Sequence, residues 1–184
     1  MIAIDDIRAA VAASKADAEA FLCDLIRFPS TPGKEKEAME YIATRFAEFG
    51  EVEKIPLSNA LREDEDYSDP IPGIDYEGRF NVRFRLPGTG GGKSLLFNAH
   101  LDVVPPSQGQ EKPFDPQVKD GIIYGRGACD AKGMSATLFT IFSAMKRLDI
   151  RPKGDIIVHF VVEEEVGGNG SLAMARRGEK ADAC

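Results

Sequence analysis

The sequence predicts an α/β domain: a mixed, mainly parallel central sheet flanked by helices. Three observations predict it. Short apolar runs of strand character alternate with longer segments of helical period, the pattern of strands and helices layered around one core. Polar residues cluster where apolar runs end, at 100–102 and 163–165, and in such sheets ligands collect outside the carboxyl ends of the strands. The 184 residues, 43% of them apolar, suit one domain with a substantial core.

Each element has a local reason. Between residues 4 and 28 the apolar positions Ile4, Ile7, Val11, Phe21, Leu22, Leu25 and Ile26 recur mostly at helical steps, which predicts one helix with one apolar face, ended by Pro29 and Pro32. A second helix is expected from near Gly33, with Ala38, Tyr41, Ile42 and Phe46 inward and Gly50 in its C-terminal turn. Val52 and Ile55 mark a short strand before Pro56. Residues 58–78 carry the acidic run 63–66 and the breakers Pro70, Pro72, Gly73 and Gly78. That is long for a structureless connection, so the segment is expected to pack irregularly over the domain or to cover one rim of the site. The acidic run itself reads as a solvated loop face.

Phe80, Val82, Phe84 and Leu86 then alternate with Asn81, Arg83 and Arg85, the period of a half-exposed strand. The glycines of 88–92 turn the chain back and lack the Lys-Ser/Thr ending of a phosphate-binding loop. Residues 94–99 are more continuously apolar and are expected to form a central strand. Ile122, Ile123 and Tyr124 predict a short strand. Residues 132–148 predict a buried helix with Met134, Leu138, Ile141, Phe142, Met145 and Leu148 inward. A second apolar strand follows at 156–162 and a short helix at 171–177.

Composition narrows the function. Lys plus Arg is 23 against 30 Asp plus Glu, a net charge of −7, which disfavours a nucleic-acid partner. No run approaches the roughly 18 apolar residues of a membrane span. Cys23, Cys129 and Cys184 have no CxxC spacing and an odd count, a poor disulfide framework. The start carries Asp5 and Asp6 and no leader-like run, so a cytoplasmic setting is expected.

Four features carry possible chemistry: the pair His100 and Asp102, Asp130 in its loop, the acidic run 163–165, and the glycine-rich loop of Gly167, Gly168 and Gly170 behind it. His100 and Asp102 sit one residue apart at a strand end, so both side chains point the same way if the strand geometry continues, and the carboxylate could hold one imidazole nitrogen while the other faces a metal. A surface histidine beside a turn acid is the plainer alternative. Asp130, within Gly125-Arg126-Gly127-Ala128-Cys129-Asp130-Ala131-Lys132-Gly133, precedes a helix, where a lone Asp is usually the N-cap; a metal role requires other residues to fill the remaining coordination positions. Glu163, Glu164 and Glu165 repel one another unless solvated or neutralised by a cation. Together they offer mixed nitrogen and oxygen donors, suited to zinc, cobalt or manganese. Cys129 reads as a packed cysteine projecting away from Asp130, and His159 as a packed or hydrogen-bonded strand residue.

These motifs resemble those of the zinc-dependent M20-type family that includes acetylornithine deacetylase, succinyl-diaminopimelate desuccinylase, aminoacylase and glutamate carboxypeptidase. Asn98-Ala99-His100-Leu101-Asp102-Val103-Val104-Pro105 is similar to the family's first metal motif, 125–133 to its second and 163–168 to its third; Leu25-Ile26-Arg27-Phe28-Pro29-Ser30 resembles the end of its first helix. The resemblance implies two divalent metal ions, zinc foremost with cobalt or manganese as alternatives. It makes His100 a ligand of one ion, Asp130 the bridge, Glu165 a ligand of the other, Glu164 the general base and Asp102 the residue orienting His100. It implies a cis peptide between Asp130 and Ala131, and it leaves Glu163, where many relatives have Asp, outside the ligand set. Ala131 departs from the family's common Met.

The implied reaction is hydrolysis of the amide bond of an N-acyl amino acid or a small peptide-like substrate. The resemblance also makes residues 1–184 the N-terminal portion of a catalytic domain. The lid or dimerisation domain and the C-terminal segment, with one further acidic and one histidine ligand, are absent. Asp182 precedes the place of the missing acid. The isolated chain is therefore expected to be inactive or nearly so, and the whole protein to dimerise through the missing domain. A non-catalytic metal-binding or interaction remnant is the alternative.

Overall fold

The computed structural model describes residues 2–68 and 71–184, so the expected breaker Pro70 lies outside the described residues. The expected first helix is two, α1 (Ile4–Ala13) and α2 (Lys15–Arg27). Ser14 divides them: it is fully buried, its hydroxyl donates to the Ala10 carbonyl at 2.9 Å, and its amide turns back to Val11. A serine bonding to the preceding turn competes with the helix ladder and bends it. Phe21, Leu22, Leu25 and Ile26 of α2 are buried as expected, whereas Ile4, Ile7 and Val11 of α1 are exposed and Ala10 is its buried residue.

Helix α3 (Lys36–Phe46) buries Ala38, Ile42 and Phe46 and half-buries Tyr41. Strands β1 (Glu51–Pro56), β2 (Phe80–Leu86), β3 (Leu95–His100) and β6 (Ile156–Val161) form one mixed sheet in the order β1-β2-β6-β3. β1 with β2 and β2 with β6 are antiparallel; β3 with β6 is parallel. The sequence predicts β3 as a central strand, but β6 takes that place. The outer edge of β3 takes a parallel bridge from Leu95 to Ala183. Its apolar run therefore reflects cover by helices more than a strand on both sides.

β4 (Gln117–Lys119) and β5 (Ile122–Tyr124) form a separate hairpin. Helix α4 (Lys132–Arg147) buries Ser135, Ala136, Leu138, Phe139 and Phe142, while Met134 and Ile141 face outward; the buried stripe is rotated from the one expected. Helix α5 (Asn169–Arg176) packs on the other face of the sheet, where Met174 joins Ile55 and Val161.

The core between α2, α3, α4 and the sheet is aromatic. Phe46, fully buried, lies 4.7 Å from Phe160 and 5.4 Å from Phe84 between ring centroids, and Phe21 stacks on Phe139 at 4.4 Å. Such contacts add to the burial of large apolar area. The Lys132 ammonium is buried and donates to the Leu25 and Phe28 carbonyls at 2.9 and 2.8 Å, closing the C-terminus of α2 and pinning it to the start of α4.

β2 is less exposed than its alternation predicts. Asn81 is fully buried, donating to the Gly170 carbonyl at 2.8 Å and accepting from the Val162 amide at 3.1 Å. The long segment after β1 packs as an irregular excursion, with a 3-10 turn at Asn59–Glu63 and Tyr76 fully buried. Its acidic run is not purely solvated, since Asp64 and Asp66 both pair with Arg176 at 2.7 and 2.5 Å.

Candidate metal centre

Because β3 and β6 run parallel, with His100 opposite Val161, their carboxyl ends open on one rim. His100 closes β3 and is buried; Asp102 follows, fully buried. The His100 Nδ1 lies 3.0 Å from the backbone oxygen of Asp102 and 3.4 Å from its carboxylate. The carboxylate's shorter contacts go across the rim. It accepts the backbone N–H groups of Glu164 at 3.1 Å and Glu165 at 3.0 Å, tying the turn after β6 to the end of β3.

Asp130 reaches the same place by a tight loop. Gly127 has φ 79°, and a Cβ there would stand 2.5 Å from Val103, so only glycine fits without displacement. The Lys132 amide closes the loop onto the Gly127 carbonyl at 3.0 Å, and the Asp130–Ala131 peptide is cis, as the resemblance implied. Asp130 is not the N-cap of α4: Ala131 holds that position, and the Asp130 carboxylate instead meets His100 Nε2 at 3.0 Å.

Glu163 leaves β6 in the left-handed region at φ 62°, and Glu164–Val166 form a single 3-10 turn. This swings Glu165 inward. One donor atom from each of His100, Asp130 and Glu165 lies within 4.8 Å of the others. Glu164 Oε2 stands 3.7 Å from His100 Nε2, its side chain half exposed.

The electrostatics favour a cation there. Burial and the neighbouring Asp130 carboxylate push Glu165 above its ordinary value. Burial pulls the His100 imidazole down, but Asp102, joined by Asp130, outweighs it and pushes His100 up to about 9. Two carboxylates and an imidazole converging on one space fit a borderline metal ion that takes mixed nitrogen and oxygen donors. The sequence-predicted residues His100, Asp102, Asp130, Glu164 and Glu165 thus gather at one rim.

Asp182 does not join them. It caps the opposite end of β3, accepting from the Ser94 amide at 2.8 Å and hydroxyl at 2.9 Å. Cys129 is exposed rather than packed, because its loop lies on the surface. His159 is a hydrogen-bonded strand residue, with Nε2 2.8 Å from Glu179.

Sequence reading missed the buried residues behind the turn. Arg79 pairs with Glu163 and, at 3.0 Å to each oxygen, with Glu35, while Tyr76 donates to Glu163 at 2.7 Å. These partners lie 44 and 84 residues apart, so no spacing within one element announces them. The local mark of this cluster is the left-handed backbone of Glu163, a conformation that the sequence does not display.

Residues 96–184 match the model of peptidase family M20/M25/M40. This chain belongs to that family. An N-formyl-4-amino-5-aminomethyl-2-methylpyrimidine deformylase of Bacillus subtilis is 38% identical over 112 residues, 58% of this chain and 26% of the relative. A succinyl-diaminopimelate desuccinylase of a Bradyrhizobium species is 33% identical over 91% of this chain and 42% of its own. Among solved structures the di-peptidase Dug1p of Saccharomyces cerevisiae shares the fold, with TM-score 0.76, 18% identity, and cover of 94% of this chain and 36% of that one. The M20 chain described here thus spans well under half the length of these relatives. Among the described residues no helix is long and apolar enough to cross a membrane.

Proposed function

We propose that these residues are the N-terminal portion of the catalytic domain of a metal-dependent amide hydrolase, with His100, Asp130 and Glu165 as protein ligands of two divalent ions. One observation carries this reading: the three donor atoms lie within 4.8 Å of one another at a rim built by parallel strands. Asp130, whose carboxylate offers two oxygens, would be the ligand shared by the two ions. Zinc is the ion of choice, with cobalt or manganese as substitutes. When bound, such ions supply Lewis acidity, making a water acidic and stabilising charge that develops on a carbonyl oxygen.

The chain's own residues do the rest. Glu164, beside the donors yet half exposed, takes the proton of the attacking water and returns it to the departing nitrogen. Asp102 holds the His100 side and the Glu164–Glu165 backbone in register. The substrate is an N-acyl amino acid or a small peptide, supported by relatives named for deformylation, desuccinylation and dipeptide cleavage. The three free cysteines fit a reducing, cytoplasmic setting, and the whole protein is a homodimer through a further domain.

Two four-coordinate ions need about eight donor positions, and three side chains with one bridging carboxylate supply half of them. The isolated 184-residue polypeptide is therefore a poor catalyst. The test is Glu164→Gln in the whole protein, assayed on N-acetyl amino acids and dipeptides. Zinc content should match wild type while kcat falls by about 10²- to 10⁴-fold. Turnover within a few-fold of wild type would remove Glu164 from the reaction.

A further inference from the structure

Building on the hydrolase reading above, we propose that Glu163 is a positioning residue: its buried side chain, clamped by Tyr76, Asn169 and Arg79, holds the left-handed turn that aims Glu164 and Glu165 at the cleft.

The Glu164 side chain is 53% exposed and accepts no hydrogen bond among the described residues. Nothing on the side chain fixes it, so its aim is set by the backbone beneath. That backbone has two anchors. On one side Asp102 takes the amides of Glu164 and Glu165. On the other stands Glu163, at φ 62° and ψ 30°. Glycine adopts this region freely and a residue with a Cβ does not, so what Glu163 contributes is its carboxylate.

That carboxylate is 1% exposed. It accepts from the Tyr76 hydroxyl at 2.7 Å and the Asn169 amide at 3.3 Å, and it pairs with one guanidinium nitrogen of Arg79. The other terminal nitrogen of Arg79 grips both oxygens of Glu35, whose Oε1 also accepts the Gly33 amide at 3.0 Å. The turn is thereby linked to the segment before α3 and to the excursion after β1. A buried ion cluster is a weak source of stability, because desolvation offsets much of the attraction, yet it fixes geometry through its directed bonds; here both carboxylates and both terminal nitrogens of Arg79 are engaged, while its Nε has no partner among the described residues. The backbone closure of Gly168 N–H onto the Glu163 carbonyl at 2.7 Å completes the turn.

The experiment is site-resolved amide hydrogen exchange on the metal-free 184-residue chain, paired with equilibrium zinc binding, for wild type, Glu163→Gly and Glu163→Gln. Glu163→Gly keeps the left-handed backbone and removes the side chain. It should speed exchange at the Glu164 and Glu165 amides by about 10-fold relative to the amides of β6 and weaken zinc binding on the order of 10- to 100-fold. Glu163→Gln keeps one oxygen able to accept from both Tyr76 and Asn169, which share Oε2, but gives up the ion pair with Arg79, so it should recover part of both. Unchanged exchange at 164 and 165 in Glu163→Gly would overturn the proposal.

If Glu163→Gly does not fold, Tyr76→Phe, which removes one donor, decides. Faster exchange confined to 164–168 supports positioning, whereas an even rise through β2 and β6 makes the cluster a general stabiliser and refutes it. Hydrogen exchange needs no metal, so its outcome for the turn is separate from whether wild type binds zinc at all, which judges the hydrolase reading.

Discussion

Replacing Asp102 separates the scaffold of the site from its chemistry. Its carboxylate is fully buried and accepts two backbone amides, from Glu164 at 3.1 Å and Glu165 at 3.0 Å. A hydrogen bond to a charged group contributes about 1.5–3 kcal/mol. Asp102→Ala removes the acceptor of both and leaves two donors without it, a loss of about 3–6 kcal/mol. Asp102→Asn keeps one oxygen for one amide and turns an NH₂ group toward the other, so it should lose about half as much.

In a domain of this size each kcal/mol moves Tm by roughly 2–4 °C, which places Asp102→Ala on the order of 10 °C or more below wild type. The assay is urea denaturation with a chelator present, so that metal binding contributes nothing, and an unchanged m-value confirms that the folded surface is preserved. A loss below about 1 kcal/mol for Asp102→Ala would refute the claim that this carboxylate ties the two strand ends together. So would an Asn variant as damaging as the Ala one.

Two further outcomes follow from the core and the buried charges. Phe46→Ala, at the centre of the aromatic cluster, should cost about 3–5 kcal/mol in the same denaturation assay; a cost below about 1 kcal/mol would show that the core rearranges to fill the space. Burial pushes the Glu35 carboxyl up to about 7 even beside Arg79, because that one guanidinium is shared with Glu163. The folded protein then holds a proton that the unfolded chain releases near the ordinary 4.5. Stability should accordingly fall by roughly 2–4 kcal/mol as pH rises through that interval. Glu35→Gln should flatten the dependence, and an unchanged slope in that variant would remove Glu35 as its source.

The chemistry is more legible in the sequence than the packing. His100, Asp130 and Glu165 stand at the ends of elements whose apolar runs are plain, and a parallel β3–β6 pair suffices to bring two of those ends together. What periodicity does not convey is direction within a layer. Ile4, Ile7 and Val11 have the helical spacing of a buried face, yet Ser14 redirects the chain and leaves them outward. Asn81 occupies the polar phase of β2, yet α5 covers that face and the amide is buried against Gly170 and Val162. The apolar run of β3 suggests a central strand because cover by helices and pairing on both edges leave the same mark on a sequence. Tyr76 and Arg79 lie in an irregular segment without period, so their contact with Glu163 depends on tertiary packing alone.

Whether His100, Asp130 and Glu165 hold a metal together is decided by equilibrium zinc binding to the chain and its single-site variants. Wild type should bind zinc, His100→Ala, Asp130→Ala and Glu165→Ala should each weaken that binding by about 10-fold or more, and Glu164→Gln should leave it unchanged. Zinc binding indifferent to all three ligand substitutions, in variants that melt like wild type, would contradict the account.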